Sequence, residues 1–172
     1  LLLATPKEAT RKGFEMRIGV ADTTFARVNM GEIAEKAICK SGEKVEIIRY
    51  TVPGVKDLPV ASKKLLEERG CELVVACGWV GKQPIDKQCA HEASLALIQA
   101  QLLTNKHILG AIIFEDEAKN DEELEEIARD RVSKHAINAI NLLLHPEVLR
   151  NNAGKGLRQG HEHAGSLGGE KK

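Results

Sequence analysis

The chain has 172 residues, with 25 basic and 25 acidic side chains and 42% hydrophobic content, which bounds it to one globular domain with tails. A net charge of zero supplies no summed positive field for nucleic acid or an anionic membrane. No apolar run approaches the roughly 20 residues needed to cross a bilayer, so the expectation is a soluble protein with neither nucleic acid nor membrane as partner. In chain order, Leu1-Leu2-Leu3-Ala4 is too short for a signal core and has no basic residue before it, while Met16 stands directly before a strand-like run. Residues 1–15 are expected to be an N-terminal extension outside the fold, 16–150 a single catalytic domain, and 151–172 a C-terminal segment with a Gly-rich tail.

Four apolar runs, at 17–21, 45–50, 73–77 and 108–114, read as strands, and they alternate with amphipathic segments at 30–41, 58–69, 86–105 and 121–144 that read as helices. The third run, Leu73-Val74-Val75-Ala76-Cys77, is apolar without alternation, as expected of a parallel strand covered on both faces. Gly42 and Gly70 stand where helix C-caps are wanted, and Gly110 also punctuates the pattern. The order predicts an α/β fold: a three-layer αβα sandwich around a four-stranded parallel sheet with flavodoxin-like strand order. The segment at 86–105 is apolar on two sides, Ala93, Leu97 and Ala100 on one and Leu95, Ile98 and Leu102 on another, so a second cover is expected from a neighbouring subunit or from the last helix. That last helix runs from acid to base, which suits its dipole and reads as a solvated face. Cys39, Cys71, Cys77 and Cys89 fall at irregular spacings without a C-x-x-C pair, which predicts reduced thiols in a cytoplasmic protein.

Ligands of such folds bind beyond the carboxyl ends of the strands, which selects four loops. The first carries Thr23, Thr24, Phe25 and Arg27, hydroxyls and a guanidinium beside a ring that can stack on a flat heterocycle, although the same residues also make an ordinary capped turn. In the second, Pro53 and Gly54 form a tight turn, Val55, Lys56 and Asp57 follow, and Leu58-Pro59 opens a helix whose first N-H groups face the loop. The third, taken as Gly78, Trp79, Val80, Gly81, Lys82 and onward to Lys87, holds the single tryptophan in a Gly-flanked setting, so a stacked ligand or a subunit contact is expected, with core burial as the alternative. His91 follows on the helix as a base by its ordinary titration range or as a simple surface histidine. The fourth clusters Glu115, Asp116 and Glu117, which suits a hard cation such as Mg2+, a general base or plain solvation. No G-x-G-x-x-G or Walker sequence occurs, which leaves dinucleotide and P-loop chemistry without support.

Taken in order, these segments resemble the archaeal-type riboflavin synthases, a family similar in fold to lumazine synthase. The matching stretches are Val20-Ala21-Asp22-Thr23-Thr24-Phe25-Ala26-Arg27-Val28, Thr51-Val52-Pro53-Gly54-Val55-Lys56-Asp57-Leu58-Pro59-Val60-Ala61, Cys89-Ala90-His91-Glu92-Ala93-Ser94-Leu95, Thr104-Asn105-Lys106-His107-Ile108, Glu115-Asp116-Glu117-Ala118-Lys119 and Ala153-Gly154-Lys155-Gly156-Leu157-Arg158-Gln159-Gly160. The resemblance implies a homopentamer with sites between adjacent subunits. It also implies a reaction in which one 6,7-dimethyl-8-ribityllumazine gives up a four-carbon unit to a second, forming riboflavin and 5-amino-6-ribitylaminouracil without an organic cofactor. On that basis Phe25 and Trp79, with Gly78, Val80 and Lys82 around them, are assigned to the ring. Thr23, Thr24 and Arg27 are assigned to polar recognition, Pro53, Gly54, Val55, Asp57 and Leu58 to the ribityl side, and Lys56, His91, Glu115 and Glu117 to proton transfer or orientation. Leu109 and Lys155 are the expected contributions of a neighbouring subunit.

Lumazine synthase itself fits less well. Its proton-transferring histidine aligns with Ile85, and its phosphate-binding segment is only partly matched by Gly81-Lys82-Gln83-Pro84. A lumazine synthase and a non-catalytic flavin-binding protein of flavodoxin-like class are the two alternatives.

Overall fold

The computed structural model describes residues 16–167; the expected extension at 1–15 and the last five residues lie outside the described part. Four strands, β1 (Met16–Thr23), β2 (Val45–Val52), β3 (Leu73–Val80) and β4 (Ile108–Phe114), form one parallel sheet in the order β2-β1-β3-β4. Helices α1 (Met30–Lys40), α2 (Leu58–Glu67), α3 (Pro84–Thr104) and α4 (Asp121–Leu144) connect and follow them, and a short α5 (Pro146–Asn152) comes last. The three-layer α/β reading of the sequence holds, and the strand order is that of the first four strands of the doubly wound order 2-1-3-4-5. No helix of the described residues is long and apolar enough to cross a membrane.

The period-2 alternation of strand side chains divides the core. Ile18, Val20, Leu73, Val75, Cys77 and Ile113 face α1 and α4, where they meet Met30, Ile38, Leu124, Val132 and Ile140. Ala21, Val74 and Ala76 face α2 and α3, where they meet Leu58, Leu65, Leu66 and Leu97. Every residue of β3 is buried, which accounts for its unbroken apolar run. Gly19 of β1 lets α2 approach, because a Cβ there would stand 2.8 Å from Val74 Cγ2 and 3.1 Å from Leu65. Gly42 and Gly70 take the left-handed conformation just beyond α1 and α2, at φ 79° and 66°, as expected of helix terminators.

Three strands run further than the sequence reading, β1 to Thr23, β2 to Val52 and β3 to Val80. β3 continues through Gly78, Trp79 and Val80, which pair with Ile112, Ile113 and Phe114 of β4, so the third loop shrinks to residues 81–83. β4 has the bounds read from the sequence, with Gly110 inside it. The segment after α5 is tied to α4: the Gly160 N-H donates to Asp130 Oδ2 at 2.7 Å, and Arg131 reaches the Gln159 carbonyl and His161. The outer face of α3 is not covered by α4, which packs on the opposite side of the sheet against α1. Leu102 and Leu103 are 77% and 74% exposed there.

Arg131 organises the end of the sheet. Its guanidinium forks onto both oxygens of Glu117, Nη1 at 2.7 Å from Oε1, and also donates to the Ile112 carbonyl at 2.6 Å. The Phe114 N-H donates to the same carboxylate at 2.9 Å. Burial pushes the Glu117 carboxyl up, but the hydrogen bonds from Arg131 and Phe114 and the Arg131 charge outweigh it and hold the group below its ordinary value. A carboxyl lowered on folding contributes stability in full above its unfolded value and loses it as pH falls through the folded one. Arg131→Met is expected to cost about 3–5 kcal/mol by leaving a buried carboxylate unpaired. In urea unfolding, the parent's advantage over Arg131→Met should narrow as pH falls below the ordinary carboxylate range.

Candidate active site

At the carboxyl edge of the sheet a cleft of about 250 Å3 opens between the loop after β1, the Pro-Gly turn after β2, the end of β3 and the start of α3. Phe25 forms one wall and is 58% exposed, a large ring held at the surface with no core around it. Gly54 and a 3-10 turn at Val55–Asp57 also line it. Trp79, Val80 and Gly81 at the end of β3 and Asp86 and Cys89 of α3 complete the lining.

Trp79 corrects the loop expectation. It is a strand residue, 2% exposed, packed into the α1/α4 side of the core, with its indole Nε1 donating to Glu115 Oε1 at 3.0 Å. Its partner is therefore the protein interior, and only part of the residue borders the cleft. Gly78 and Val80 are buried with it. A Cβ on Gly78 would meet Ile112, Val55 and Leu58, so this glycine lets the 3-10 turn sit against the sheet. Leu58 is fully buried in the α2/α3 core and anchors the turn from beneath.

Lys56 and Asp57 stand at the mouth. Lys56 Nζ donates to Glu92 Oε2 at 2.6 Å, and the hydrogen bond and charge of Glu92 raise the lysine above its ordinary value. Near neutral pH Lys56 is thus an ammonium donor, not a base. His91 is exposed on α3 and is not among the residues lining the cleft. In the first loop, Thr24 donates its hydroxyl to the Pro53 carbonyl at 3.3 Å and so ties two loops together. Thr23 is 4% exposed and its hydroxyl has no hydrogen-bond partner among the described residues. Arg27 pairs with Asp121 at 2.5 Å and lies 3.8 Å from Glu115, turned toward α4.

The three clustered carboxylates diverge. Glu115 takes the tryptophan, Asp116 pairs with Lys87, and Glu117 is committed to Arg131. Among the described residues no group of three or more His, Cys, Asp and Glu is placed to hold a metal ion. Lys82 and Pro53 are exposed at the rim. Leu109 lies half-buried on β4 and Lys155 is exposed beyond α5, donating to Asn152; neither lines the cleft.

Asp86 and Cys89 in the first turns of α3 have no role in the sequence reading, yet they line the cleft. Gln83 caps the helix, its N-H donating to Asp86 Oδ2 at 3.1 Å, and Pro84 in the first turn has no N-H. Gly81 leaves room for this carboxylate, because a Cβ there would collide with Asp86 Oδ2. The end of the helix that would attract an anion already holds its own. The available signal was the spacing of Gln83 and Asp86 around a proline, the pattern of a capping box.

The cleft lies at the carboxyl edge of a parallel sheet, the edge at which doubly wound α/β proteins bind small molecules, and Phe25 gives it one exposed flat face. The chain belongs to the 6,7-dimethyl-8-ribityllumazine synthase family, whose profile matches residues 15–147. It is 52% identical over 152 residues to the riboflavin synthase of Methanothermobacter thermautotrophicus, covering 88% of this chain and 99% of that protein. To the riboflavin synthase of Archaeoglobus fulgidus it is 47% identical with the same coverage. The 6,7-dimethyl-8-ribityllumazine synthase of Thermus thermophilus is 30% identical over 108 residues, 60% of this chain and 69% of that protein.

The four thiols are free, with Cys39 exposed, Cys89 half-buried, and Cys71 and Cys77 buried. Burial pushes the Cys71 thiol up to about 11 and Cys77 further still. Alkylation of the native protein at mildly alkaline pH should leave Cys71 and Cys77 unmodified, and a ligand seated in the cleft should slow modification of Cys89 without affecting Cys39, read by peptide mass mapping.

Proposed function

We propose that this protein is a riboflavin synthase, a transferase that dismutates two molecules of 6,7-dimethyl-8-ribityllumazine to riboflavin and 5-amino-6-ribitylaminouracil. The observation that carries the reading is identity of about half the residues with archaeal riboflavin synthases across 99% of their length. The chemistry asks a protein mainly to stack two flat rings, hold their ribityl chains and assist loss of a proton from the 7-methyl group of one of them. The carbanion is delocalised into the heterocycle, so no organic cofactor is needed. Phe25 offers a stacking face, the turn at 53–57 offers backbone groups for a ribityl chain, and Lys56 offers a proton donor at the mouth.

Two observations favour this reading over condensation of a pyrimidine with a butanone phosphate. Ile85 is exposed and carries no titratable group, and the Asp86 carboxylate occupies the helix end where a phosphate would seek N-H donors.

The reading includes assembly as a cytoplasmic homopentamer with sites between subunits. A cleft of about 250 Å3 lies below the roughly 300–1,000 Å3 of typical ligand pockets and has one exposed aromatic wall, which suits a half-site completed by a neighbour. The uncovered apolar face of α3, carrying Leu95, Ile98, Leu102 and Leu103, suits a subunit contact.

Purified protein given the lumazine alone should form riboflavin, followed by absorbance and fluorescence. Product only when the pyrimidine and the sugar phosphate are supplied would instead assign lumazine synthesis, and flavin retention without turnover would assign a binding protein. Phe25→Ala should leave folding and assembly intact, because the ring has no core contacts to lose, while reducing lumazine turnover by 10-fold or more, on the order expected for an aromatic contact. Light scattering should give five times the 18.8 kDa chain mass, and Leu102→Glu with Leu103→Glu should lower it.

A further inference from the structure

Phe25 is held at the cleft with almost nothing packed around it, so its position depends on the loop that carries it. Within the 23–28 span Ala26 and Val28 pack against the α1/α4 core, whereas the polar fastenings are few: the Thr24 N-H donates to the Val52 carbonyl, the Thr24 hydroxyl to Pro53, and the Ala26 N-H to Thr23 at 3.4 Å, while Arg27 reaches Asp121 from an exposed position. The two ends are gripped by one side chain. Arg49 of β2 donates from Nη2 to Asp22 Oδ2 at 2.5 Å and to Asn29 Oδ1 at 2.7 Å, and from Nε to Asp22 Oδ1 at 3.2 Å. Nη1 lies 3.4 Å from Glu35 Oε2.

Each anchor also has one partner on its own side of the loop. Asp22, 3% exposed near the end of β1, also accepts from the Thr51 hydroxyl at 2.7 Å. Asn29 caps α1, its Oδ1 accepting from the Glu32 N-H at 3.1 Å. The guanidinium therefore spans from the last residues of β1 to the cap of α1, and Phe25 sits on the chain between. Space for it comes from Gly31 in the first turn of α1, where a Cβ would collide with Arg49 Cζ and Nε.

We propose that Arg49 is a positioning residue for the active site: its planar fork sets the distance between Asp22 and Asn29 and thereby the placement of the Phe25 ring over the cleft. The proposal rests on the reading of the cleft as the ribityllumazine site. Neutralising Asp22 would require only a charge, whereas bridging Asp22 and Asn29 requires a bidentate donor in a fixed geometry.

Gly31→Ala separates the two roles. It keeps every charge, and alanine favours a helix over glycine. The atom it meets is the far end of a flexible side chain, so the guanidinium gives way and the helix stays. The variant keeps the Arg49 charge beside Asp22 and is expected to remain folded at the assay temperature, to lose about 10- to 100-fold in kcat/KM for the lumazine, as a displaced contact does, and to bind lumazine more weakly in a titration of the single tryptophan's fluorescence. Arg49→Lys, with one ammonium that pairs with Asp22 but does not span to Asn29, should reproduce the loss and carries the test if Gly31→Ala lowers the melting temperature. On a Phe25→Ala background neither change should cost anything further, since the ring they position is gone. Parent-like affinity and turnover in folded Gly31→Ala, or losses that add to that of Phe25→Ala, would overturn the clamp. A parent that binds lumazine but forms no riboflavin removes the proposed reaction while the titration still reads the clamp; a parent that shows no response to lumazine removes both.

Discussion

The sheet is covered on both faces, and that single constraint orders the rest of the structure. With β3 buried at every position and β1 at all but its first residue, no polar side chain can act from the middle of the sheet without losing its water. Polar chemistry is therefore pushed to the carboxyl edge, where Asp22 and Thr23 end β1 and the Pro-Gly turn follows β2. Close approach of α2 through Gly19, and of the 3-10 turn through Gly78, brings those ends near enough to share a cleft.

The charged groups at that edge mostly hold one another. Arg49 and Asp22 join β2 to β1, Glu117 and Arg131 join the turn after β4 to α4 and the C-terminal segment, and Lys56 and Glu92 join the turn after β2 to α3. A network of this kind fixes loop geometry through fork-shaped donors and buried acceptors. It leaves the cleft itself with an aromatic face, backbone groups and few free charges, a setting suited to neutral heterocycles. The Asp86 carboxylate at the start of α3 works in the same direction, because it occupies the donors that would otherwise draw in an anion.

Much of the fold was legible. The alternation of apolar runs and amphipathic segments located all four strands and the four main helices, and Gly42 and Gly70 marked helix ends for the reason the backbone then displays, a positive φ. Of the site residues, Phe25, Gly54, Val55, Lys56, Asp57, Trp79 and Val80 do come together around one cleft. Trp79 was misjudged as a loop residue because two flanking glycines imitate a loop, while its pairing with Ile113 is a relation between strands 34 residues apart in sequence. Asp86 and Arg49 were passed over because a capping acid and a strand arginine look ordinary until their partners are known.

The sequence by itself determined the periodicities, and through them the α/β class, the number of strands and the edge at which the cleft opens, because burial pattern and turn chemistry are local properties. It also carried the family, since long strings of matching residues survive in one dimension. The tertiary structure alone decided which charged groups are spent on each other. Glu115, Asp116 and Glu117 are adjacent in the chain and go to three different partners, whereas Asp22, Asn29 and Arg49 are dispersed and meet at one guanidinium. Pairing of that kind depends on distances across the sheet and between its layers, which no spacing along the chain encodes.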